Sequence, residues 1–197
     1  MDAAHFVSAP FLGVLWCVQR LFVKAPSGRQ RFNVLAALHA TSHELFTVTN
    51  LTYITATTVC ELLQGLAGAY PGVPITSVLD NARYHRCALV QTLAATLGIA
   101  LLYVPPYSPK LNLIERLWKF VKKKWLYSKY YPDSAAFQHA IRDCLAKVPT
   151  HYQAALDTLL TLRFQTFTTV PVVGDLPATG LAPIVAPAAT EVLSMAA

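Results

Sequence analysis

"ITSVLDNARYHR", residues 75–86, runs through β-branched and aliphatic residues and then meets Asp80 and Asn81. Its first half, Ile75 to Leu79, reads as a buried strand. "CALVQTLAATLG" follows as a helix with Gly98 at its C-terminal cap, and "IALLYVPP" is a second continuous apolar strand. A strand, a helix and a strand in this order need a right-handed crossover and a parallel pair, which sets the fold class as α/β. An acid at the end of a buried strand needs partners to explain it, and the rest of the chain has to supply them.

Downstream, "LNLIERLWKFVKKKWLYSKYY" reads as one long helix. Ile114, Leu117, Trp118, Val121 and Trp125 form its apolar stripe, while Arg116, Lys119, Lys122 and Lys123 lie outside it. "SAAFQHAIRDCLAKV" and "YQAALDTLLTLRF" add two more helices. Upstream, residues 2–49 read as an antiparallel meander of three strands: "DAAHFV" with "FLGVLWCV", then "RFNVLAALH", then "ELFTVT". "TATTVCELLQGLAGAY" is a helix with Thr55 at its N-terminal cap. Residues 1–167 are expected to form one domain. Residues 168–197, rich in Ala, Pro, Val and Thr and nearly without charge, are expected to be a disordered tail.

A hydrophobic fraction of 54% in 197 residues is ample for a single core. Sixteen Lys and Arg against 10 Asp and Glu give a formal charge of +6, a balance that favours polyanionic partners. The four cysteines are scattered, with neither a CxxC pair nor zinc-finger spacing, so a disulfide framework and a structural zinc site are not expected. Mean hydropathy is +0.41, yet no run of about 18 residues stays apolar. With no signal-peptide pattern either, a cytoplasmic protein without a membrane partner is expected.

The acids are few, and three of them fall where this topology could gather them. Asp2 begins the first strand, Asp80 ends the fourth, and Glu115 lies in the first turns of the long helix. In a sheet where a meander is followed by a crossover, the strand after the crossover can sit beside strand one, which would bring Asp2 and Asp80 to neighbouring positions; Glu115 joins them only if its helix packs across that same edge. Converging carboxylates without counter-ions repel one another, so such a cluster makes sense chiefly as a site for hard divalent cations. Two magnesium ions there, roughly 3.5–4 Å apart, would clamp the attacking and leaving oxygens of a phosphodiester.

"DAAHF", "LDNARYHR" and "LLYVPPYSPKLNLIERLWKFVKK", with 34 residues between Asp80 and Glu115, resemble the DDE transposases of the mariner-like superfamily in its bacterial insertion-sequence branch. The resemblance covers roughly residues 2–165. It implies a ribonuclease-H-like fold, with a mixed five-stranded sheet (antiparallel meander plus parallel strands) flanked by helices. Carried over residue by residue, Asp2, Asp80 and Glu115 match the catalytic, metal-binding triad, and Asn81, His85 and Asn112 match accompanying polar positions.

The family implies a two-Mg2+ site in which Mn2+ can substitute. It also implies hydrolysis that frees a transposon 3′-hydroxyl, and attack of that hydroxyl on target DNA, usually at TA. Assembly as a homodimer on paired transposon ends is part of the same expectation, as is a bacterial, nucleoid-associated location. Two departures stand out: no helix-turn-helix region precedes the domain, and only Met1 precedes the first acid. These suggest a shortened first strand, and either a truncated copy or a frame that works with a separately encoded N-terminal helix-turn-helix part.

Each candidate has a plainer reading. Asp80 alone could begin an Asx-turn, and Glu115 alone is an early-helix acid favoured by the helix dipole. His85 fits a supporting histidine better than a ligand, and Asn81 and Asn112 could merely cap turns. Arg116, Lys119, Lys122 and Lys123, with Arg29 and Arg31 in the basic "GRQR" turn, are candidates for DNA phosphates, against a plain solvated face. Trp16, Trp118 and Trp125 are assigned to packing. Two further functions compete: an inactive transposase remnant that binds DNA or transposase partners through its basic helix, and a ribonuclease acting on RNA–DNA hybrids.

Overall fold

The computed structural model describes residues 1–8, 16–19, 22, 30–106, 108–127 and 129–164. Strands β1 (Asp2–Val7), β2 (Arg31–Leu38) and β3 (Leu45–Asn50) form an antiparallel sheet in that order. Asp2 stands opposite Ala36 across the first pair, and Leu38 opposite Leu45 across the second. Helix α1 (Ala56–Ala69) leads to β4 (Ile75–Leu79), helix α2 (Ala88–Thr96) and β5 (Ile99–Tyr103). β4 and β5 pair in parallel, Leu79 opposite Tyr103, as the crossover requires. A 3₁₀ turn (Pro109–Leu111) precedes α3 (Leu113–Trp125), α4 (Ser134–His151) and α5 (Gln153–Leu159).

The expected single five-stranded sheet is instead hydrogen-bonded as three strands plus two. β1 meets β4 at Met1, whose terminal amine donates to the Val78 carbonyl at 2.7 Å. The residue before β1 therefore touches β4 next to its last residue, although the two strands do not pair. The first strand's expected continuation, "FLGVLWCV", lies largely outside the described residues; Trp16 to Val18 are not in a strand, and Trp16 is 98% exposed rather than packed. The expected tail and Arg29 also lie outside the described residues, and the compact unit reaches Leu162.

β2 is buried on both faces because both carry helices. Phe32, Val34 and Ala36 enter one core with Ile114, Leu117 and Val121 of α3 and Phe137 and Ile141 of α4. Leu35 and Ala37 enter a second with Val59, Leu63 and Leu66 of α1, Leu79 of β4 and Val90 of α2. Alternation along one strand thus feeds two layers, the pattern of a sheet covered on both sides.

Local chemistry sets the helix ends. Thr55 N–H donates to Thr58 Oγ1 at 3.3 Å where α1 begins, and Asp133 accepts from Ala136 N–H at 2.7 Å where α4 begins. Gly98 takes φ +70° just after α2, a left-handed conformation in which a side chain would be strained. α3 is shorter than its periodicity predicts. The N–H groups of Leu126 and Tyr127 both go to the Lys122 carbonyl, and the Tyr131 hydroxyl takes the Trp125 carbonyl at 2.6 Å. The last-turn carbonyls are thereby satisfied by a tightened end, so the helix stops before "SKYY".

Leu117 is fully buried between α3 and the sheet. Leu117→Ala is expected to lower unfolding free energy by about 3 kcal/mol in urea titrations, from lost burial and the cavity left behind. Lys123→Ala, at an exposed position of the same helix, is expected to change it by less than about 0.5 kcal/mol.

Candidate active site

The β1–β4 seam sets the first two acids side by side. Asp2, the first residue of β1, is buried, and its Oδ2 accepts the indole N–H of Trp118 at 3.0 Å. Asp80 follows the last residue of β4 and is 43% exposed. Its Oδ1 accepts from the Ala82 N–H at 3.1 Å and lies 2.6 Å from His85 Nδ1. Glu115 is half-buried in the first turn of α3, with its N–H bonded to the Asn112 carbonyl at 3.2 Å.

The three carboxylates share one electrostatic neighbourhood. Burial pushes Asp2 up to about 6, and the charges of Glu115 and Asp80 push in the same direction against a backbone hydrogen bond. The Tyr84 hydroxyl, pushed up to about 12, is raised by burial and then by Asp80 and Asp2 together. Asp80 moves the opposite way: the hydrogen bond from His85 holds it below the usual carboxylate range, against partial burial. Among the described residues, no Lys or Arg side chain is ion-paired with any of the three.

The polar residues of the "DN" and "LN" motifs brace this seam. The Asn81 amide donates to the Val104 carbonyl at 2.6 Å, tying the loop after β4 to the end of β5. The Asn112 amide donates to the Met1 carbonyl at 3.2 Å, tying the start of α3 to β1. His85 is fully buried, its carbonyl accepts from the Tyr103 hydroxyl at 3.0 Å, and its ring meets Tyr84 edge-on. An ionised Asp80 accepts from His85 Nδ1, while Nε2 has no hydrogen-bond partner among the described residues.

The donor set is all carboxylate oxygen, the chemistry that hard divalent cations such as Mg2+ or Mn2+ take. The bonds from Ala82 N–H and His85 fall on Asp80 Oδ1, and the bond from the Trp118 indole falls on Asp2 Oδ2. Yet among the described residues no three His, Cys, Asp or Glu groups are near enough to share one ion. The acids are neighbours without being drawn onto a common point.

The basic candidates separate. Lys119, Lys122 and Lys123 are exposed on α3, and Arg31 is exposed at the start of β2. Arg116 is committed within the fold: its Nη1 donates to the carbonyls of Leu159 and Thr161 at 3.3 and 2.8 Å, pinning the end of α5 to α3. Periodicity set Arg116 outside the apolar stripe but could not reveal a partner more than 40 residues on. Trp118 packs in the core as assigned from sequence, and its bond to Asp2 is what that reading missed. The signal was its position one turn after Glu115, which puts both on the helix face that meets β1.

Residues 19–138 match the sequence profile of the DDE superfamily endonuclease family, well over half of the chain. The chain belongs to that family. A 62-residue stretch of the chain is 32% identical to the uncharacterized protein y4pE/y4sA of Sinorhizobium fredii (strain NBRC 101917 / NGR234), covering 32% of the chain and 44% of that relative. The fold is similar to that of the Mos1 transposase paired-end complex with left transposon end (TM-score 0.52, 13% identity, 80% of this chain and 53% of that one). It is likewise similar to the Mos1 strand transfer complex (TM-score 0.52, 14% identity, 83% and 54%) and to the Mos1 mariner paired end complex with Mn (TM-score 0.50, 13% identity, 83% and 56%). The DDE domain thus has the fold of a mariner-type transposase core and spans about half the length of those chains. No helix among its described residues is long and apolar enough to cross a membrane.

Because folding raises the Asp2 carboxyl from 3.8 to about 6, its ionised form opposes folding by about 3 kcal/mol above pH 6, and the cost fades as pH falls toward 4. Asp2→Asn keeps an oxygen for Trp118 and removes the charge. In urea titrations without metal, the variant is expected to be more stable than wild type by about 2–3 kcal/mol at pH 7.5, with the margin closing by pH 4. A margin that does not change with pH would contradict this placement of Asp2.

Proposed function

We propose that this domain is the catalytic part of a transposase, hydrolysing DNA phosphodiesters and passing the freed 3′-hydroxyl to target DNA. The observation that carries the reading is the β1–β4–α3 seam, where Asp2, Asp80 and Glu115 influence one another in a protein of an endonuclease family. In this reading Asp2, Asp80 and Glu115 hold two Mg2+, or Mn2+ in their place. When bound, the ions supply the missing counter-charge and stabilise the attacking and leaving oxygens.

The chain's own residues do the rest. His85 and the Ala82 N–H fix one oxygen of Asp80, Asn81 locks its loop to β5, and Asn112 holds the start of the helix bearing Glu115 against β1. Lys119, Lys122, Lys123 and Arg31 supply cations for DNA phosphates, with Arg29 a further candidate outside the described residues. Arg116 is left out of this set because its guanidinium holds α5.

Further parts of the reading rest on the family alone. They are action on paired transposon ends and target DNA, at TA sites, by a homodimer in a bacterial cytoplasm, with a separately encoded helix-turn-helix part to read the ends. The domain is taken to end near residue 167, before an Ala/Pro-rich tail. The two sheets are taken as one five-stranded sheet interrupted at the β1–β4 seam, which the Met1–Val78 bond supports.

One observation favours the remnant reading: among the described residues no three ligating groups already share a point. The two readings part in a plasmid-nicking assay with Mg2+, Mn2+ or chelator. The transposase reading expects metal-dependent nicking that falls about 10³-fold in Asp80→Asn and in Glu115→Gln, a loss of about 4 kcal/mol of transition-state stabilisation. Absence of nicking by folded wild type, with DNA binding intact, would favour the remnant. In either case, replacing Lys119, Lys122 and Lys123 with Ala is expected to reduce the slope of log affinity against log salt by up to about 2.7.

A further inference from the structure

The geometry points to Trp118 as a positioning residue that fixes Asp2 relative to Glu115 through its indole N–H, so that cation affinity depends on a side chain that touches no cation. The inference rests on the metal-site reading proposed above and adds a residue to it.

Three observations support this role over simple packing. First, a buried indole N–H must find an acceptor, and a backbone carbonyl would serve; Trp118, 2% exposed, uses a carboxylate oxygen of the first acid. Second, Asn112, Glu115 and Trp118 fall at successive three-residue steps along one side of α3. The outer two both reach β1, Asn112 at the Met1 carbonyl and Trp118 at Asp2 Oδ2. Glu115 is therefore carried between two ties to the strand that bears Asp2. Third, the ring is held independently: Phe6 of β1 packs edge-on to it at 6.0 Å and 79°, within the same core as Ile114, Leu117 and Val121. Its orientation is thus set before the donor is used.

An indole N–H suits this role. It carries no charge, so it orients a carboxylate without competing with a cation as Lys or Arg would. Its bond falls on Oδ2. Residues that orient metal ligands typically cost about 10–100-fold in metal affinity when removed.

The test uses the full chain and two readouts besides cleavage. Mn2+ binding is followed through the spectrum of free Mn2+ by electron paramagnetic resonance, and unfolding by urea without metal. Trp118→Phe removes the donor with some loss of volume. Replacement of Trp118 by benzothienylalanine, which has sulfur where the indole has N–H, removes the donor at nearly constant volume. Val121→Ala, in the same core one turn on, controls for packing.

Both donor-less proteins are expected to bind Mn2+ about tenfold more weakly, with Val121→Ala unchanged. In a double-mutant cycle, the fold-loss in the folding equilibrium caused by removing the donor is expected to shrink severalfold when Asp2→Ala is already present. Donor-less proteins that match Val121→Ala in Mn2+ binding, or that show no coupling to Asp2, would overturn the inference. Wild type that binds Mn2+ with the expected Trp118 dependence but cleaves no DNA would refute the transposase reading and leave this one standing. Wild type that binds no Mn2+ would overturn both.

Discussion

A buried carboxylate at the first position of a half-buried strand is the constraint around which this molecule is arranged. Asp2 faces burial that disfavours its charge and two further acids that oppose it. The fold offers partial compensation: a neutral donor from Trp118 on one oxygen, and a backbone hydrogen bond. The Met1 terminal amine adds a smaller favourable charge and is itself lowered to about 6 by burial. A folded state that keeps such a group against its own stability is ordinary at sites that act on a charged partner, where local strain is sustained by packing elsewhere.

The surrounding core bears that load. α3 is set against β1 and β2 by Ile114, Leu117 and Val121, α4 and α5 cover the same face, and Arg116 bonds α5's last carbonyls to α3. The helix that carries Glu115 is therefore fixed along its length before any electrostatic term is considered. On the other face, α1 and α2 hold β4, and with it Asp80. The seam between the two sheets is where these rigid halves meet, which gives the acids proximity without requiring any single element to supply more than one.

Asp2 and Asp80 divide the work of the site differently. Asp80 is accessible, and the hydrogen bond from His85 keeps it ionised well into acid. Asp2 is buried and titrates near 6. In the proposed metal-site reading, a cation would meet a charge already present at Asp80, and its binding would favour the ionised form of Asp2. Cation binding and ionisation of the buried acid are then linked, which makes occupancy of such a site sensitive to pH on its acid side.

Much of this was legible in sequence. The apolar runs at Ile75–Leu79 and Ile99–Tyr103 with a helix between them allow little besides a parallel pair, and the period of α3 marked its buried face. The interval of 34 residues between Asp80 and Glu115 was readable because both acids sit at element ends that local patterns define. Sequence could not give the end of α3, which depends on where Tyr131 places its hydroxyl, or the break between sheets. Nor could it give the bonds that Arg116 and Trp118 make. Those depend on partners distant in the chain: Trp118 and Asp2 are 116 residues apart. Local periodicity fixes which face of an element is apolar, so the chain by itself determined the elements, their order and which acids could meet. Only tertiary packing decided which oxygen of Asp2 is held, which carboxyl is raised and which lowered, and which cation bonds within the fold, because each is set by the distance and dielectric between groups that no local pattern relates.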